Sequence, residues 1–433
     1  MPPGQAAPAN VTELHRYAQA LIVQLTADGT APEPPPGVTD VPDHWLAPAV
    51  AALVRIMAGE DAHEAVERAS RLDAERTALF LCLALAVCGL GDRVHASWLG
   101  TAFGELAADR PVTPGQRALW LAAARGAYGP VGKIFVLRKL DATAVPAEDE
   151  RWLKALVPAE PEVTAPPSLD GFSELADLPE IARSLKAAAT LRRLRERCAE
   201  IVATPATGEV TKVVQGTIWA EDEPLAVLRS LIGQEDREPP LGSLTELLLR
   251  DIRPGGDPHL AALALHVGAP AVKASAEALL EVVRRPPPDS VTVSLLGHPV
   301  TLRPEGPDQE SLAAAEQRIA AERLSGRPRP WGAYALFGVA AVLVVLGLLL
   351  FPPLAVAGLG AAGGAGYLLW RHRVAEGQEM RQVQKRISEL SDLADKAVWA
   401  LHEYARELEA RAEAAAEDVA ELTRMLRRGP RAA

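Results

Sequence analysis

The sequence predicts a mainly α protein: a cytoplasmic helical bundle or irregular helical solenoid, a small β-hairpin, a two-arm transmembrane helical hairpin and a C-terminal coiled-coil helix. Three observations lead there. Residues 331–370 contain no Asp, Glu, Lys, Arg or His. Ahead of them, short apolar-periodic segments alternate with Gly and Pro. Behind them, apolar residues return at steps of four and three with no Gly or Pro between 383 and 428.

The chain opens on a helix. Asn10 with Glu13 reads as a helix start, and Leu14, Tyr17, Leu21 and Leu25 follow at helical spacing until Gly29. Residues 31–41 are a proline-rich connector, so 1–41 forms one leading segment. Residues 42–157 predict an all-helical domain, with helices at 45–58, 62–70, 74–88, 92–108, 114–127, 131–140 and 148–156. Gly59, Gly89, Gly91, Pro111 and Pro130 separate them. No pattern recurs at the ~34- or ~40-residue period of helical repeats, so bundle and solenoid both stay open. Aromatic residues make up 4 % of the chain, which leaves Ala and Leu to fill closely spaced helix interfaces.

A proline-rich linker at 158–168 leads to a second, mostly helical domain at 169–303. Its helices are expected at 178–202, 223–232, 243–250 and 259–284. Two β-like passages accompany them, at 210–219 and 291–302, the latter a small hairpin preceded by the hinge Arg284, Arg285, Pro286, Pro287 and Pro288. Residues 304–330 add a helix at 311–324 and a tether.

The uncharged run is 40 residues long. As one helix it would reach roughly 60 Å, against a hydrocarbon thickness of ~30 Å. Pro352 and Pro353 remove two amide donors and disfavour helix at Phe351, giving arms of about 19 to 21 and about 17 residues. Trp331 and Trp370 fall at one face, with Arg323, Arg327 and Arg329 before them and Arg371, His372 and Arg373 after. Basic flanks around an uncharged turn place both termini in the cytoplasm, at the bacterial inner membrane; a re-entrant hairpin is the alternative to a full span. Gly358, Ala362 and Gly366 share one stripe of the second arm, and Gly360 and Gly364 share another, so a neighbouring backbone approaches closely there. That neighbour is the first arm, a second hairpin, or both.

The last helix carries Val383, Ile387, Leu390, Ala394, Ala397, Leu401, Tyr404, Leu408, Ala412, Ala415, Val419, Leu422 and Leu426 on one seam. Only the step Tyr404 to Leu408 to Ala412 breaks the heptad. So narrow a stripe needs a cover. Association through Ile387, Leu390, Leu401, Leu408, Val419 and Leu422 is expected, with the same segment of another chain as partner, or the chain's own 311–324 helix or amino-terminal domain.

Composition excludes some function classes. The formal charge is −11, and residues 371–433 hold 12 basic and 12 acidic side chains, so the negative excess lies earlier. Nucleic acid is therefore not an expected partner, because phosphate neutralisation needs a concentrated basic surface. Cys82, Cys88 and Cys198 fit neither a zinc spacing nor an even disulfide framework. The opening MPPGQAAPAN lacks an apolar signal-peptide core, consistent with a cytoplasmic amino terminus. Arg outnumbers Lys 37 to 8, and Ala, Gly and Pro abound, as in GC-rich bacterial genomes.

Candidate chemistry is sparse. The stretch Gly126, Ala127, Tyr128, Gly129, Pro130, Val131, Gly132, Lys133, Ile134 resembles a phosphate loop but misplaces its first glycine and has Ile134 where Ser or Thr must hold magnesium. His63, Glu64 and Glu67 fall one histidine short of a zinc helix. His259 and His266 stand seven apart without a third ligand, and Glu221, Asp222 and Glu223 suit a helix start. No catalytic residue, metal site or cofactor is expected. The function expected is a membrane-anchored scaffold or adaptor that oligomerises through its coiled coil and recruits an unidentified soluble protein. The alternative is a membrane-perturbing, pore-forming effector of a bacterial conflict or phage-defence system, with a cytoplasmic sensor region.

Overall fold

The computed structural model describes residues 8–27, 29–35, 37–38, 41–107, 110–143, 149–203, 223–233, 239–286, 288–324, 331–349 and 352–428. Within these, the side chains at 8–10, 173, 323–324, 331–334, 343, 346–349, 352–359, 361, 365, 368–369 and 376 lie outside the description. The fold is mainly helical, with small antiparallel sheets and a long last helix.

Helix α1 (Pro8–Ala27) buries the expected stripe of Leu14, Tyr17, Leu21 and Leu25. The Tyr17 hydroxyl donates to the Pro32 carbonyl at 3.0 Å, fastening the proline connector. α2 (Leu46–Ala58) stops at Gly59, whose φ of 75° closes a left-handed cap that a side chain would strain. α3 (His63–Leu72) and α4 (Ala74–Val87) follow, the latter started by the Asp73 carboxylate accepting from the Arg76 amide. From Phe80 to Val87 every α4 residue is buried, as an apolar run without a polar face requires.

The helix expected at 92–108 is broken in two. A 3-10 turn at Gly91–Arg93 is followed by extended backbone at Val94 and His95, and α5 covers only Ala96–Phe103. The break lets Gly91 sit against the Ala127 carbonyl, where a Cβ would lie 2.1 Å from oxygen. β1 (Pro111–Val112) precedes α6 (Pro114–Ala124), which opens on a capping box between Thr113 and Gln116. α7 (Gly129–Asp141) and α8 (Arg151–Leu156) come next.

A 3-10 turn at Pro167–Leu169 leads to α9 (Ser173–Ala176) and α10 (Pro179–Ala203). The β-like passage at 210–219, with Glu221 and Asp222, lies outside the described residues. α11 (Glu223–Gly233), β2 (Gly242–Ser243) and α12 (Leu244–Asp251) follow, α12 with its own capping box from Ser243 and Glu246. The expected helix at 259–284 is two helices, α13 (Pro258–Val267) and α14 (Ala269–Val283). Gly268 separates them because the Trp152 ring fills the space where a Cβ would stand, 2.2 Å from Cζ3. The hairpin β3 (Val291–Leu295) and β4 (His298–Arg303) forms as expected and adds β5 (Gly306–Pro307). Last come α15 (Gln309–Leu324), α16 (Trp331–Leu349) and α17 (Pro352–Arg428), 77 residues in one helix.

These elements make two compact units, each discontinuous in sequence: 1–162, 187–281 and 414–433 in the first, 163–186 and 282–413 in the second. The first junction falls inside the expected 158–168 linker. The expected 169–303 domain, by contrast, is divided, its middle belonging to the first unit.

In the first unit α11 packs on α4 and α6, and α13 packs on α6 and α7. Pro111 pairs with Ser243 and Val112 with Gly242 in a two-stranded sheet. Buried Arg117 of α6 grips Asp251 of α12 through both guanidinium nitrogens, so these late helices close over the early ones. In the second unit β3 and β4 pair from Val291 with Leu302 to Leu295 with His298. The inward faces of that hairpin join α15, α9 and the middle of α17 in one core.

Candidate functional site

The strongest candidate is the uncharged segment. On α16 the described side chains are 335–342, 344 and 345, ten of its nineteen residues. Of these only Ala340 is buried; Phe337 is 47 % exposed, and Val342 and Val345 are each 58 % exposed. Apolar side chains open to the surroundings on several faces of one helix call for a non-aqueous cover. Among the described residues no helix is long and apolar enough to cross a membrane.

The expected break at Phe351 lies outside the described residues, and Pro352 and Pro353 form the first turn of α17, where missing amides are harmless. The side chains of Trp331, Pro352 and Pro353, and the surroundings of Gly358, are outside the description. Gly364 faces the first arm: a Cβ there would lie 3.9 Å from Leu336 Cδ2. Gly360 and Gly366 meet nothing within 4 Å among the described residues, and Ala362 is half-buried.

At the end of the arm, the rings of Tyr367 and Trp370 lie 6.0 Å apart, both exposed. Arg371 and Arg373 follow, also exposed, on the same unbroken helix. From there to residue 386 no described side chain is buried or joins the core. Burial begins at Leu390.

The seam expected to associate between chains is covered from within this one. Leu390, Ala394, Ala397, Ala400, Tyr404 and Leu408 are buried against Leu169, Ile181, Val293, Val300, Ala315 and Ile319 among others, with Ile387 and Leu401 at the margin. The α15 helix, one of the covers the sequence left open, contributes Ala315 and Ile319. Farther along, Val419 and Leu422 are buried in the first unit, where the neighbouring Asp418 and Glu421 pair with Arg195 of α10, both at 3.0 Å. A second chain is thus not needed to remove these residues from water.

The chemistry of the first unit is that of a folded body. Glu64 pairs with Arg68 at 2.8 Å and Glu67 with Arg71 at 2.5 Å, an i,i+4 ladder along exposed α3 beside His63. The phosphate-loop lookalike is the turn between α6 and α7, with Gly126 and Gly129 at φ 80° and 66°. Lys133 sits in the first turn of α7, half-buried, and burial lowers its pKa.

The His259 amide donates to the Asp257 carboxylate at 2.8 Å, and its imidazole pKa is lowered by burial with help from Lys133 and Arg125. His266 pairs instead with Asp141 at 3.3 Å, so the two histidines serve separate contacts. Asp257 lies below the usual range: burial opposes this, but the Arg125 hydrogen bond and the amides it caps prevail. Burial pushes the thiols of Cys88 and Cys198 up to about 12 and raises that of Cys82 further, which keeps them from acting as thiolates. Among the described residues no group of three or more His, Cys, Asp or Glu side chains could hold a metal ion.

Two concavities were not foreseen from sequence. One, of about 480 Å³, lies between the start of α4, the end of α5, the start of α6 and α11, with Asp73, Glu105, Gln116, Phe103, Val227 and Leu231 on its walls. The other, also about 480 Å³, runs between α2 and α3 past Arg55, Arg68 and Arg71 over Ala51 and Ala65. The first joins residues from 73 to 231, so no local pattern announces it; the second lies within residues 41–72, between consecutive helices. No family model, curated protein or solved structure matches this chain.

Proposed function

We propose that the protein is a membrane-anchored adaptor: α16 and the start of α17 form a two-arm transmembrane hairpin, and the folded units on the cytoplasmic side recruit a soluble protein to the inner membrane. The observation that carries the reading is the exposed, uncharged surface of α16, including Phe337, Val342 and Val345. Lipid is the cover that fits, because the segment contains no charge from 331 to 370 and is bracketed by aromatic and basic residues. Recruitment rests on the two surface concavities, which offer binding walls. The adaptor acts without an inter-chain coil, since the seam residues 390–408 are occupied inside the second unit.

The test is expression in a bacterial host followed by alkaline extraction and flotation of membranes. The full chain stays in the lipid fraction, while a chain lacking 331–370 is released. Release of the full chain by alkali would sink the anchor.

A second reading, a pore-forming effector, draws on one observation: Gly360 and Gly366, one on each small-residue stripe, meet nothing within 4 Å among the described residues, which suits close packing of one hairpin on another. Depolarisation of cells on overexpression, relieved by Gly360→Leu, supports that reading over the adaptor.

A further inference from the structure

We propose that Arg371 and Arg373, immediately after the exposed Tyr367 and Trp370 pair, each hold a headgroup of anionic phospholipid, on opposite sides of the helix. The inference rests on the anchor reading above and adds the lipid class. Tyr and Trp settle at headgroup level, so the ring pair marks where the helix leaves the hydrocarbon. The next turn carries both guanidinium groups at the depth of the lipid phosphates.

Both arginines are exposed, and neither makes an ion pair among the described residues. The planar guanidinium of each suits a bidentate phosphate contact. Distance limits the site to this turn. Arg381, Lys385 and Arg386 stand at least eight residues beyond Arg373 along α17, roughly 12 Å at 1.5 Å per residue, beyond a screening length of ~8 Å at physiological salt. The chain's negative excess lies before residue 371, so the rest of the protein does not itself attract an anionic surface.

The experiment reconstitutes the detergent-purified full chain in vesicles of phosphatidylcholine and phosphatidylglycerol. Spin-labelled versions of each lipid report the fraction immobilised at the protein, and alkaline-washed flotation reports insertion separately. Wild type is expected to immobilise phosphatidylglycerol in preference to phosphatidylcholine, with roughly a fivefold contribution from each arginine at low salt. Arg371→Gln with Arg373→Gln removes the preference at unchanged insertion, Arg371→Lys with Arg373→Lys keeps most of it, and Arg381→Gln leaves it intact.

Equal immobilisation of the two lipids by inserted wild type overturns the lipid site and spares the anchor. Loss of wild type from the vesicles under alkali overturns the anchor itself. A preference abolished by inorganic phosphate at constant ionic strength overturns the lipid site in favour of soluble phosphate.

Discussion

Arg117 and Asp251 meet inside the first unit, Nη1 to Oδ2 at 2.5 Å and Nη2 to Oδ1 at 2.6 Å, with both side chains nearly inaccessible to water. The Arg117 guanidinium also lies 4.6 Å from the centroid of the Trp120 ring. Removing one partner strands the other's charge in a poorly solvating interior. Asp251→Asn or Arg117→Met alone should lower unfolding stability by about 3–5 kcal/mol, whereas the joint apolar replacement Arg117→Met with Asp251→Leu should cost far less. Denaturant unfolding of the full chain in detergent, followed by circular dichroism, compares the three.

Gly268→Ala should destabilise the same unit by about 1–3 kcal/mol, because the new methyl must displace the Trp152 ring or part α13 from α14. Gly255→Ala gives a contrasting case: its φ of 86° strains the backbone, but no neighbour lies within 4 Å. Indole fluorescence checks the mechanism, since only the first substitution disturbs the environment of Trp152.

His259 gives the protein a pH dependence of determinable sign. Burial lowers its pKa from the ordinary 6.5, so the unfolded chain binds this proton more readily than the folded one. The penalty is absent above pH 6.5 and grows as pH falls toward the lower folded pKa, so stability should drop on acidification across that window. His259→Gln should flatten this part of the profile, measured by melting at successive pH values in the full chain. An unchanged slope would assign the titration elsewhere.

Val342→Glu or Val345→Glu should weaken retention in the lipid fraction, because a carboxylate at mid-helix disfavours insertion by about 2.5–3.5 kcal/mol. Gln378→Glu, on the bare part of α17, should leave retention unchanged. Quantifying each variant across alkaline extraction and flotation separates the two positions.

Helix placement was largely legible because local chemistry writes it: Gly59 ends α2, Thr113 and Gln116 begin α6, and the alternation of Val291, Val293 and Leu295 makes a strand. The uncharged segment was legible for the same reason, since lack of charge is a property of neighbouring residues. Pairings across long separations were not. Arg117 and Asp251 are 134 residues apart, and nothing local to either names the other. Gly268 fell inside the single helix expected at 259–284, and nothing near it in sequence names the Trp152 ring that stands against it. The seam on α17 was correctly apolar, yet a three-and-four stripe suits a sheet and a helix of the same chain as well as a copy of itself. The concavity against α11 escaped altogether, being made of parts of four helices between residues 73 and 231, and the one between α2 and α3 depends on how those two helices pack rather than on any single pattern.

Between Trp370 and Ile387 no described side chain of the helix joins a core, and that interval fixes a geometry as well as a distance. The sixteen residues 371–386 at about 1.5 Å each give a clearance of roughly 24 Å. A helix also keeps angular phase, turning about 100° per residue. One residue inserted after Gly377 would lift the packed part of the second unit by only about 1.5 Å yet swing it through more than a quarter turn about the helix axis, while seven would nearly restore its heading at a greater height. Under the proposed anchor, this stretch of helix is an angular gauge: its length in residues sets which side of the packed part turns toward the bilayer.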